Sequence, residues 1–301
     1  MSYHPCLEKC GIENPADVLK DTTCQSCTSE RQGHGKTFEY EVVRMIGSDI
    51  GIDDSAIDDF VSRWSGGTGQ TDVHDFEFSK LGVKGIEKYG ESDGVSIKLM
   101  GLGCEICMGL TTRIFNNFEE PWSIILGNYE KISFDHEGKN ITCFCINKVR
   151  ILNLFPTDRH LFFGECSLKD IEGLSQIKEF PKKGSKEEQR AFKDDFAKLK
   201  DLVVGKIDAG GGNIGLRAKM NSTNARLQCA IGAKKFDSLY EMLPVAQAVE
   251  ITREEYPDLF KPIFDEKDTK SPKSPKKTKR RRRKNKRKKR KTRKTRKKKK
   301  N

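Results

Sequence analysis

The chain has 301 residues, 34% charged and 35% hydrophobic, with a formal net charge of +13, which is enough for one large domain or two modest ones. The charge is unevenly placed: of 57 Lys and Arg, residues 276–301 hold 21 and no acid, so the remaining 36 meet all 44 acids and the body carries −8. No run of about 18 apolar residues is present, which excludes a membrane-spanning helix. The opening Met-Ser-Tyr-His-Pro-Cys lacks the basic-then-apolar order of a secretory signal. Ten cysteines without such a signal predict reduced thiols or metal ligands in an intracellular compartment.

In chain order, residues 1–34 pair Cys6 with Cys10 and Cys24 with Cys27 in a stretch poor in apolar residues. This is ligand spacing for a tetrahedral zinc site, and a module too small to build a core folds by binding metal. A helix follows from about Lys36 to Ile46, with Phe38, Val42 and Met45/Ile46 at helical spacing and Glu39 beside that stripe. A second helix is capped by Ser55 and carries Ile57, Phe60, Val61 and Trp64 on one face. The Gly-rich stretch 65–70 leads into two strands, 71–78 and 94–99, joined by a glycine-bearing loop. Alternation along the first strand puts Asp72 and His74 on one face and Asp75 and Glu77 on the other. The segment 104–118 reads as a helix crossing back.

The centre reads as an antiparallel pair, 123–134 and 141–154, with a polar turn at 136–140. Another strand is predicted at 161–163, then helices near 169–179 and 186–203. Ser185 and Glu188 form a capping box that fixes the start of the second helix. A hairpin is predicted over 214–231, with Asn221-Ser222-Thr223-Asn224 at its turn. Cys143, Cys145, Cys166 and Cys229 sit among apolar neighbours and read as buried thiols.

A helix glutamate, a strand aspartate and a second strand ending in x-Lys together resemble the PD-(D/E)xK nuclease superfamily, type II restriction endonucleases in particular. Phe38-Glu39 stands where the family's helix acid stands, Thr71-Asp72 where Pro-Asp stands, and Ser96-Ile97-Lys98 where (Asp/Glu)-x-Lys stands. The resemblance covers roughly residues 36–118. It implies an α/β fold: a restriction-endonuclease-like mixed sheet flanked by helices. It also implies that Asp72, with Glu39 or Glu105, holds Mg²⁺, and that Lys98 orients the attacking water and offsets charge on phosphorus. Ser96 departs from the pattern, because a serine supplies no anionic ligand for a hard cation. Glu105, seven residues after Lys98, is the acid that would replace it.

The implied partner is double-stranded DNA. A tail of Lys and Arg suits a phosphate backbone, gives salt-dependent affinity and resembles a nuclear localisation signal. In composition it also looks like tails on proteins of large DNA viruses. On the hairpin, Arg217, Lys219, Asn221, Asn224, Arg226 and Gln228 are the residue types that read base edges. A homodimer would suit the cutting of two strands. The expected organisation is a zinc module over 1–34, a nuclease-like domain over 35–265 (core 36–118, reading part 119–265) and a disordered basic tail over 266–301. The contrasting expectations are a non-catalytic zinc-containing DNA-binding or packaging protein, and a protein acting on RNA.

Overall fold

The first core-forming segment is the amphipathic helix α1 (Gly33–Asp49), followed by α2 (Asp54–Trp64). Phe38, Val42, Val43, Met45 and Ile46 are all at most 3% exposed, so the stripe seen in the sequence is the face that packs. Each such side chain contributes about 1.5–3 kcal/mol by leaving water. The computed structural model describes residues 33–64, 75–83, 86–136, 139–175, 184–220 and 225–266. The cysteines of the expected zinc module, the Gly-rich stretch, Asp72 and the basic tail lie outside the described residues.

The helices cover one face of a mixed sheet. Its strands are β1 (Phe76–Glu77), β2 (Gly94–Gly101), β4 (Trp122–His136), β5 (Lys139–Leu154), β8 (Ala248–Ile251) and β9 (Ile263–Glu266), in the order β1-β2-β4-β5-β8, with β9 also on β5. The pair β2–β4 is parallel and the others are antiparallel. In β4, Ile124, Ile125 and Leu126 are all fully buried, as befits a strand covered on both faces. Ile125 joins the α1 side with Val95, Ile97, Val149 and Ile151. Ile124 and Leu126 face the other way, toward a second layer.

That layer is a three-stranded antiparallel sheet, β3 (Glu105–Leu110), β7 (Ala225–Gly232) and β6 (Gly215–Met220), ordered β3-β7-β6. Helices α3 (Thr111–Asn116), α4 (Arg159–Phe163), α5 (Leu168–Ser175), α6 (Lys186–Ala209) and α7 (Ala233–Met242) pack with it. Ser185 and Glu188 form the predicted capping box at the start of α6. The central antiparallel pair and the hairpin β6–β7 also stand as predicted.

Two expectations are corrected. Residues 105–110 form a strand rather than the start of a helix, and only 111–116 are helical. The period of two is visible in Ile106 and Met108 inside against Glu105 and Cys107 outside. Residues 161–163 belong to helix α4 rather than to a strand. Phe162 and Phe163 are both fully buried against the second layer, and a run of three apolar residues cannot by itself set the period.

A polar clasp ties the C-terminal segment to α1. Asp49, at the end of α1, accepts from Tyr89 Oη at 2.6 Å, from Lys88 Nζ at 3.0 Å and from Tyr256 Oη. Lys88 also donates to Tyr256 Oη at 2.7 Å and lies over its ring. Burial and the Asp49 carboxylate push both phenols up, so they act here as donors. Among the described residues no helix is long and apolar enough to cross a membrane.

Candidate functional site

The site forms beside β2, just past its pairing with β1. β1 pairs with Gly94 and Val95, and among the described residues no strand pairs with β2 beyond Val95 on that side. An unpaired edge N–H needs a partner. The Ile97 N–H finds one in Asp75, the residue just before β1, at 2.7 Å to Oδ2. The same oxygen accepts from Lys98 Nζ at 2.6 Å and from Ser96 Oγ at 3.4 Å. Lys98 Nζ also donates to the Ile97 carbonyl at 3.0 Å. The ion pair is half-buried, with 19% of the Lys98 side chain and 26% of the Asp75 side chain exposed. Ser96 is fully buried beneath it.

The third member comes from α1. Glu39 follows Phe38, and Phe38 is anchored against the sheet through the close approach of Gly127 on β4. Burial holds the Glu39 carboxyl above the usual carboxylate range. The negative charge of Asp75 raises it further, and Lys98 and Lys36 partly offset this. Glu39 on α1 thus feels the charges of Asp75, just before β1, and of Lys98 on β2.

The acid that meets Lys98 here is Asp75, and the sequence reading missed it. Alternation over 71–78 set Asp75 on the face opposite Asp72 and so made it a poor partner for Asp72; in the structure Asp75 directly precedes the described strand β1. The available signal was position: an acid flanking a short strand, opposite the start of Ser96-Ile97-Lys98. Asp72 lies outside the described residues. Glu105 opens β3 in the second sheet, where its Oε2 lies 2.9 Å from Arg217 Nε. Arg217 on β6 and Gln228 on β7 are register partners, and Lys219 and Arg226 face one another in the same hairpin. Asn221 and Asn224, with Cys6, Cys10, Cys24 and Cys27, lie outside the described residues.

Cys143 and Cys145 are buried with their sulfurs 3.4 Å apart, as two same-face positions of one strand. Burial pushes the Cys166 thiol up to about 11 and the Cys229 thiol up as well, so neither is a ready nucleophile. An open cleft of about 650 Å³ runs past Phe115, Arg159, His160 and Cys166, and no predicted site residue lines it. Among the described residues no group of three His, Cys, Asp or Glu side chains is placed to hold a metal ion.

Comparison with protein-family models, curated proteins and solved structures finds no match to this chain. The site's chemistry is therefore argued from its own geometry. Two carboxylates repel one another beside a lysine, and a hard divalent cation bound by oxygen ligands relieves that repulsion. Glu39 and Asp75 are the described residues that would hold such an ion, as a set of two rather than three.

Proposed function

We propose that the chain is a Mg²⁺-dependent endonuclease hydrolysing phosphodiester bonds of double-stranded DNA, with Asp75, Glu39 and Lys98 as its working residues. The observation that carries this reading is the contact of Lys98 Nζ with Asp75 beside β2, within electrostatic reach of the Glu39 carboxyl. Mg²⁺, when bound, supplies a Lewis acid and a more acidic water. Asp75 and Glu39 would hold it. Lys98, which lies against Asp75, would present its ammonium to charge building on the phosphate. Ser96 and the Ile97 N–H keep the Asp75 carboxylate oriented. The tail, with 21 basic residues, supplies sequence-independent affinity for the duplex. The hairpin carrying Arg217 and Gln228 supplies the surface for base reading, and a homodimer would cut both strands.

The second reading is a DNA-binding protein without catalysis. What favours it is that no group of three metal-ligating side chains is present among the described residues, together with the ordinary structural use of Asp75 as the acceptor for the Ile97 N–H. Plasmid DNA incubated with wild type, Lys98→Ala and Asp75→Asn, with and without Mg²⁺, separates the two. The nuclease reading expects Mg²⁺-dependent cleavage by wild type and a loss of about 10²-fold or more in each variant. Thermal unfolding of the variants should stay within a few degrees of wild type. Binding by every variant with cleavage by none would leave the second reading standing.

A further inference from the structure

The outward face of the second sheet holds an ion pair that the catalytic site does not use. Arg217 on β6 reaches across β7 to Glu105 on β3 at 2.9 Å, passing over a strand whose Ala230 is only 2% exposed. Both partners remain wet, with 54% and 49% of their side chains exposed. The contact is made through Nε of Arg217. Gln228 stands beside Arg217 in register. Glu105 is connected to the catalytic strand: only Leu102, Gly103 and Cys104 separate β3 from β2, which carries Lys98.

An exposed ion pair is held by about 0.2–1 kcal/mol, so a stronger anion readily takes either partner. A guanidinium fork matches phosphate as well as it matches carboxylate, and a duplex releases a condensed counterion for each phosphate neutralised. Deepening the nucleic-acid reading above, and resting on it, we propose that Glu105 is an exchangeable guard on a DNA-contact residue. A backbone phosphate of the duplex displaces the Glu105 carboxylate from Arg217, so Glu105 lowers the affinity of this sheet for DNA and is freed when DNA arrives. The pair thus joins occupancy of the second sheet to the strand that runs on from Lys98.

The test is a double-mutant cycle in binding, on the full chain without divalent ions so that cleavage plays no part. A short labelled duplex is titrated with wild type, Glu105→Gln, Arg217→Gln and the double variant at several salt concentrations. Glu119→Gln, an exposed acid lining the cleft and outside the Arg217–Glu105 pair, controls for the change in net charge. The expected result is about 1.4- to 5-fold tighter binding for Glu105→Gln, the gain from releasing an exposed pair. Arg217→Gln should weaken binding and reduce the log–log salt slope by about 0.9, one phosphate contact. In the Arg217→Gln background the Glu105→Gln gain should vanish. Four outcomes overturn the proposal: a gain that persists in the Arg217→Gln background, a gain no larger than that of Glu119→Gln, no gain at all, or no binding. Because the readout is binding, failure of cleavage leaves the cycle interpretable, and a cycle that closes additively leaves the nuclease reading untouched.

Discussion

Gly127→Ala is the sharpest test of how α1 is seated on the sheet. A Cβ at Gly127 would stand 2.6 Å from Phe38 Cζ, 2.8 Å from Phe38 Cε2 and 2.8 Å from Leu99 Cδ1. Carbon atoms in contact prefer about 3.5–4.0 Å, so Phe38 and Leu99 must each withdraw by roughly 1 Å. Phe38 is 1% exposed and has no free space to enter. Overpacking of this kind costs about 1–3 kcal/mol, and the loss of a strand glycine returns about 0.5–1 kcal/mol. The net expectation is a destabilisation of up to about 2.5 kcal/mol, read from urea unfolding as a lower midpoint at an unchanged slope. The companion variant Phe38→Leu removes the clashing ring edge. In the Gly127→Ala background it should cost less than it does alone, because the two sites share one contact. A stabilising Gly127→Ala, or strictly additive costs in the double variant, would refute the close seating of Phe38 against the sheet.

Three further outcomes are expected. Glu39→Gln should stabilise the fold at neutral pH. The raised pKa means the folded state favours the proton, so this group's stability is present below its ordinary value of 4.5 and is lost as pH rises through the raised value. Urea midpoints from pH 4 to 8 should therefore fall less steeply in the variant, and parallel curves would contradict the assigned environment. Asp170, held down at about 2 by Lys206 and by Ser167, works in the opposite sense. Its stability is present above the ordinary 3.8 and lost as pH falls toward 2, so Asp170→Asn should flatten the acid limb of a thermal-melt series over that window. Asp49→Asn leaves the Lys88 ammonium, in a clasp where the two side chains are 24% and 14% exposed, without its carboxylate. We expect a loss of about 2–3 kcal/mol and faster hydrogen exchange in β8 and β9, whereas a local loss confined to residues near Asp49 would show that the clasp does not hold the C-terminal strands.

Where the sequence was readable, a local rule had no competitor. The stripe on α1, the capping box at Ser185 and Glu188, and the alternation along β6 and β7 each follow from a period or a cap contained within a few residues. The reading failed where the outcome depended on a partner far away in sequence. Residues 104–118 are apolar in either period, and β3 is a strand because β7, more than a hundred residues later, offers it a ladder. Leu161-Phe162-Phe163 is likewise too short to declare its own period.

The candidate site divides in the same way. The resemblance to the nuclease pattern singled out Glu39 and Lys98, along with Asp72 and Glu105, from residue types and spacing readable within single segments. Sequence alone also settled the charge design, an acidic body with a basic tail, since charge is a property of composition. Which acid meets Lys98 was decided by tertiary structure. Asp75 directly precedes the described strand β1, whose pairing with Gly94 and Val95 sets it against β2, and there its carboxylate accepts from the Ile97 N–H. Glu105 was drawn away for a similar reason: its strand joined the second sheet, and Arg217, distant in sequence, lay within reach. Strand pairing sets which backbone groups remain unpaired, and unpaired groups choose the side chains that gather around them, which is information no single segment contains.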